Sequence, residues 1–155
     1  MAQKTIKLKL QTGNCVVIDD SDYELISQYK WHEDHGYART SSGGKKIYMH
    51  RLLMGSPNSQ VDHINRDRLD NRKANLRVCS DLQNKWNLPK QGRNKSGYKG
   101  VTRHSNLWRA TIVVNGKQKS LGYHKEILDA ARAYDKAALE YFGEYAAING
   151  VGHEA

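Results

Sequence analysis

Residues 61–87 read VDHINRDRLDNRKANLRVCSDLQNKWN, and the order of residue types in this stretch decides the fold of the first half of the chain. A short apolar run ends at Asp62-His63. A polar loop, NRDRLDNRKA, follows at residues 65–74. Asn75-Leu76-Arg77-Val78 then opens a second strand. Ser80-Asp81 is a helix start, because a short oxygen-bearing side chain there satisfies the first free backbone N–H groups. That helix carries Gln83, Asn84 and Asn87. The expectation is strand, loop, strand, helix, with a carboxylate and an imidazole facing an amide from the helix.

Upstream, residues 4–18 alternate apolar and polar around Thr12-Gly13-Asn14, which predicts a hairpin. DDSDYELISQYKW follows, with Ser21 as N-cap and Glu24 three residues on, the capping-box spacing of a short helix. Residues 36–49, GYARTSSGGKKIYM, predict a second hairpin turning on Ser-Ser-Gly-Gly, and HRLLMG one helical turn stopped by Gly55 and Pro57. Cys15 and Cys79 are far apart, fit no C-x-x-C spacing, and read as buried free thiols.

Downstream, residues 89–97, PKQGRNKSG, combine Pro, Gly, Ser and positive charge as a basic linker does. YKGVTRH, LWRATIVVNG and KQKSLGYH predict three strands, with Asn115-Gly116 as the turn between the last two. From Lys125 to Phe142, Ile127, Ala131, Tyr134, Ala138 and Tyr141 recur at steps of three and four, the stripe of an amphipathic helix, and Gly143 stops it. The helix covers one sheet face and leaves the other open. The fold class is therefore α+β: a β-rich first domain over 1–88 with its motif at about 60–88, a linker at 89–97, and a small three-stranded antiparallel sheet with one packed helix over 98–150.

The chain of 155 residues carries a formal charge of +9 and a pI near 9.6. Such charge favours an anionic partner, nucleic acid first. From Leu82 to Lys125 there is no Asp or Glu, while Lys85, Lys90, Arg93, Lys95, Lys99, Arg103, Arg109, Lys117, Lys119 and Lys125 all fall there. A solvated face ordinarily mixes signs. A long single-sign stretch is what counterion release from a phosphate backbone rewards. The start, MAQKTIKLKL, has no apolar signal core and no apolar run approaches membrane length, so the expectation is a cytoplasmic protein, in a bacterial or phage-infected cell, with no signal peptide, transmembrane segment or membrane partner.

Hydrolysis of a phosphodiester needs a base for the attacking water, which suits a neutral His near pH 7. It needs a cation with hard oxygen ligands to answer the phosphate charge, and a group that fixes the base's tautomer. His63 offers the base, and Asp62 and Asn84 offer oxygen ligands. Asn75 offers the orienting amide or ties the loop down. Soft ligands are too few for structural zinc.

The order D-H, loop, N-L-R, then a helix with Q-N resembles the HNH nuclease family, in its phage and intron homing-endonuclease branch. The resemblance implies a ββα-metal motif holding one divalent ion, Mg²⁺ or else Mn²⁺. On it, Asp62 and Asn84 correspond to metal ligands, His63 to the general base and Asn75 to the central Asn. The last position is Asn where many members have His, so the triad reads H-N-N. Asn87 is a rival ligand one turn further on. IYMHRLLM resembles the segment that precedes the motif in this branch, which makes His50 a secondary candidate.

Residues 97–149, in GYKGVTRH, WRATIVVNGKQKSLGYH and AARAYDKAA, resemble the AP-two/ERF DNA-binding domain. That resemblance implies a three-stranded sheet lying in the major groove with its helix behind. The candidate DNA-contacting residues are Arg93, Lys95, Lys99, Thr102, Arg103, Arg109, Thr111, Lys117, Lys119 and Tyr123. Lys99 stands at the family's Y-R-G-V arginine. Thr102 and Val113 replace base-reading arginines, so no target sequence carries over. Trp108 and Tyr134 are expected in the core.

Together these readings point to a metal-dependent endonuclease for double-stranded DNA, site-preferring and of homing type, with the C-terminal sheet steering it. One such site cuts one strand, so a monomer would nick and a homodimer could cut both. The alternatives are a catalytically silent DNA-binding regulator, which makes the D-H…N…N set incidental, and a structure-specific or restriction-type HNH nuclease, which needs no base-reading sheet.

Overall fold

The computed structural model describes residues 4–90 and 92–152. The chain divides into two units, Met1–Asn84 and Lys85–Ala155. The boundary lies four residues ahead of the expected one at 88. The reason is Trp86, whose indole stacks on Phe142 at 4.7 Å between ring centroids and so joins the core of the second unit.

In the first unit, β1 (Thr5–Lys9) and β2 (Cys15–Asp19) pair antiparallel from Thr5↔Asp19 to Lys9↔Cys15. The phase of β2 buries Val16 and Ile18 and turns Cys15 outward. Cys15 is therefore an exposed thiol, against expectation, while Cys79 is buried. Next comes a 3₁₀ turn, Asp20–Asp22, and then α1 (Tyr23–Ser27). Ser21 lies inside that turn and gives α1 no side-chain cap, which corrects its reading as N-cap. The buried carboxylate of Asp22 instead meets the Lys73 ammonium.

A three-stranded sheet follows, in the order β3 (His32–Asp34), β4 (Tyr37–Ser42), β5 (Lys45–Tyr48). The β4-β5 hairpin was legible in sequence. Its partner β3 was not, because His-Glu-Asp shows no apolar alternation. The helix α2 (Met49–Leu53) leads to β6 (Gln60–His63), which pairs antiparallel with β7 (Leu76–Cys79). The helix α3 (Asp81–Trp86) completes the series. Its start is a capping box: Gln83 N–H donates to Ser80 Oγ at 3.2 Å, and Ser80 N–H donates to Gln83 Oε1 at 2.9 Å. Val16, Ile18, Ile26, Trp31, Met49, Val61 and Leu76 form the core, with Trp31 anchored by its indole N–H on the Ile26 carbonyl.

In the second unit β8 (Val101–His104), β9 (Leu107–Val114) and β10 (Lys117–His124) form an antiparallel sheet with β9 in the middle, and α4 (Ile127–Phe142) covers one face. Val101, Ala110 and Ile112 meet Ala130, Ala131, Tyr134 and Ala138 there. Gly143 ends the helix at φ 54°. Gly100 is held at φ 75°, and a Cβ on it would fall 2.0 Å from the Tyr134 ring and 2.6 Å from the Thr111 carbonyl oxygen. Only glycine fits that contact. Asp135, also buried, accepts backbone N–H groups of Asn149 and Gly150 and ties down the stretch after the helix.

Candidate active site

The site is built on the β6-β7 hairpin and the loop between its strands. Asp62 and His63 are the last two residues of β6, and both are buried. Asp62 lies directly opposite Arg77 in the register. The Arg77 guanidinium donates to Asp62 Oδ2 through Nε at 3.0 Å and Nη2 at 2.8 Å. Sequence reading did not single out Arg77, although a basic residue two after Asn75 was visible.

The loop is clasped to itself and to β2. Asn75 Nδ2 donates to Asn65 Oδ1 at 2.9 Å and to the Asp70 carbonyl at 2.8 Å, and Asn75 Oδ1 accepts the Asn65 N–H at 3.0 Å. Asp70 holds Asn65 and Arg72. The backbones of Leu69 and Asn71 bond Val17, and Lys73 N–H donates to Asp19. Of the two roles open to Asn75 in sequence, the side-chain contacts match the loop tie. The amide that faces the imidazole belongs to Asn71: its Oδ1 lies 3.3 Å from His63 Nε2. A carbonyl oxygen only accepts, so Nε2 carries the proton and Nδ1 the lone pair. Asn71 sat unremarked in the loop string because nothing local distinguishes it from Asn65.

His50, from α2, brings a second imidazole, with 5.0 Å between the ring centroids of His50 and His63. Tyr37 borders both rings, and the Arg68 guanidinium lies 4.5 Å over the Tyr37 ring centre. Burial pushes His50 down to about 3, helped by the neighbouring His63 and Arg51. Burial also lowers His63, against the Asn71 bond and the carboxylates of Asp62, Asp67 and Asp70, which pull it up. Both imidazoles are thus neutral near pH 7. Asn84 is half-buried on α3 in the first unit, whereas Asn87 falls in the second unit and is buried. Among the described residues no cluster of three or more His, Cys, Asp or Glu forms a metal cage. The carboxylate of Asp62 and the amide oxygen of Asn84 are hard oxygen donors of the kind a divalent cation takes while water and phosphate fill the rest of its shell.

The structure divides the predicted contact residues of the second unit. Thr102, Arg109 and Tyr123 form one cross-strand row on the open face, with Thr111 beside them. Lys119 is opposite Ile112 on the helix-covered side, its ammonium 4.6 Å over the Tyr141 ring. Arg103 lies over Trp108, and Lys117 is opposite Val114, also on that side. Lys99 donates from Nζ to the carbonyls of Trp86 and Leu88, so its charge closes the polypeptide rather than standing outward. Arg93 and Lys95 are exposed in the loop before β8.

Residues 54–85 match the family described as HNH endonuclease, so β6, the loop, β7 and nearly all of α3 carry that motif. An uncharacterized HNH endonuclease of Acanthamoeba polyphaga mimivirus is 29% identical over 144 residues, covering 88% of this chain and 75% of that protein. Protein 3.8 of Escherichia phage T7 is 28% identical over 88 residues, covering 56% of this chain and 72% of its own. An AP2-like ethylene-responsive transcription factor of Arabidopsis thaliana is 40% identical over 75 residues, covering 41% of this chain and 24% of that protein.

Proposed function

We propose that the chain is a metal-dependent endonuclease of double-stranded DNA, of homing type, whose first unit cuts and whose second unit chooses where. The observation that carries the reading is His63: a buried, neutral imidazole with Nε2 fixed by Asn71 and Nδ1 bearing the lone pair, inside an HNH motif. His63 Nδ1 takes the proton of the attacking water as the new P–O bond forms and the old one breaks. The carboxylates of Asp62, Asp67 and Asp70 stabilise the imidazolium that results. Asp62 and Asn84 would hold the divalent ion, Mg²⁺ or Mn²⁺, which neutralises charge on the phosphate and the leaving oxygen. One such site cuts one strand, so a monomer nicks and a homodimer cuts both.

The test is supercoiled plasmid with Mg²⁺, with Mn²⁺ and with EDTA, alongside His63→Ala. Metal-dependent open circle that disappears in the variant is the expected result. A second reading, a silent DNA-binding regulator, is favoured by one observation: Arg77 already answers the Asp62 carboxylate. It predicts DNA bound and uncut with either metal, on genomic DNA as on plasmid.

A further inference from the structure

The open face of the second unit is unusual in what it offers. Its three strands present Thr102, Arg109 and Tyr123 in one row, Thr111 and Ser120 in the next, and Val113 and Gln118 in the third. Arg109 is the only Lys or Arg among the described strand residues on this face, although the unit's sequence holds 12 Lys and Arg against 6 Asp and Glu. Arg109 Nε is buried with no hydrogen-bond partner among the described residues. The other feature is methyl groups. Val113 is 55% exposed on the solvent side, and Thr102 and Thr111 add two γ-methyls. Gln118 Nε2 donates to Thr111 Oγ1 at 3.3 Å and holds that hydroxyl sideways along the sheet.

A strongly basic unit fits a polyanion, yet this face has too few cations to grip phosphates in its centre. Base edges in the major groove offer what the face lacks: acceptors for a guanidinium and, on thymine, an apolar C5-methyl. We infer that the open face of β8-β9-β10 reads C5-methyl groups of pyrimidines through Thr102, Thr111 and Val113, beside a base acceptor taken by Arg109. The inference rests on the second unit being the DNA-choosing part. Thymine and 5-methylcytosine share this chemistry.

The experiment uses the full chain in EDTA. The duplex it selects from a random pool is resynthesised in three forms: with thymine, with uracil at every thymine, and with uracil plus 5-methylcytosine at every cytosine. Binding is measured at several salt concentrations. The expected result is a loss on going to uracil of about fourfold for each contacted methyl. In Thr102→Ser/Thr111→Ser/Val113→Ala, which removes methyls of all three residues from the protein side, the thymine and uracil duplexes bind alike, the non-additivity of groups in contact. A selected duplex rich in cytosine, whose 5-methylcytosine form binds tightest, assigns the face to methylated DNA and supports the inference equally. Equal affinity for all three forms with a steep salt dependence overturns the methyl reading and leaves the DNA-contacting role standing. Binding without sequence preference does the same. Absence of salt-dependent binding overturns both.

Discussion

Arg77 sits directly across the hairpin from Asp62 and holds its carboxylate with two N–H groups, at 3.0 and 2.8 Å, where both side chains are nearly sealed from water. Removing one member of such a pair strands a buried charge, which costs about 3–5 kcal/mol. Arg77→Ala is therefore expected to lower the melting temperature of the first unit. Mg²⁺ should recover more of that loss than it adds to the wild type, because a divalent cation then has the stranded carboxylate to itself. Thermal melts with Mg²⁺ and with EDTA read this out, and an equal Mg²⁺ response in both proteins would refute it.

His63→Ala removes the imidazole whose tautomer is set by Asn71. Cleavage should fall to background while DNA affinity stays within about twofold, since the imidazole is buried and does not bear charge near pH 7. Gel shifts beside a nicking assay separate the two. Parallel loss of binding and cleavage would make His63 a structural residue.

His50 carries a sharper pH signature. Its folded value is about 3 against an ordinary 6.5. Between those limits the unfolded chain binds a proton that the folded chain refuses, so stability falls as pH drops below 6.5, by about 1.4 kcal/mol per pH unit for one proton. Above 6.5 both states are neutral and the contribution is flat. His63 is lowered in the same sense. His50→Phe keeps a ring and loses the proton, so its melting temperature should decline less steeply from pH 6.5 towards about 3. Parallel curves would show that burial does not hold His50 neutral.

Gly100→Ala tests the second unit. A methyl there meets the Tyr134 ring and a backbone oxygen at distances no Cβ tolerates, at a φ that disfavours alanine as well. The sheet should lose several kcal/mol, more than the usual ~1 kcal/mol of a point change. Salt-dependent DNA affinity should go with it while the first unit still melts cooperatively. Calorimetry showing both transitions unmoved would contradict the packing described.

What could be read in advance had a common property: the signal lay within a few residues. Asp62-His63, the Asn75-Leu76-Arg77 strand start, the Ser80 cap with Gln83 and the Ala131-Tyr134-Ala138 stripe are all local. What was missed depended on register. Lys117, Lys119 and Tyr123 share a period-two phase in sequence. The strand irregularity between Ser120 and Tyr123, at Gly122, shifts that phase and sends Tyr123 to the open face while Lys119 meets Tyr141. Asn71 and Arg77 likewise owe their places to a hairpin register and a loop docked on β2, neither of which a linear pattern encodes.

Each unit fills its interior from its own stretch of chain, Ile6 to Leu76 in one and Trp86 to Val151 in the other. A genetic crossover falling among the codons between Asn84 and Trp86 would split neither core and would leave Arg77 and Asn84 with the first. Either half could then be inherited whole and joined to a different companion, so that the two units could follow separate lineages before meeting in one reading frame.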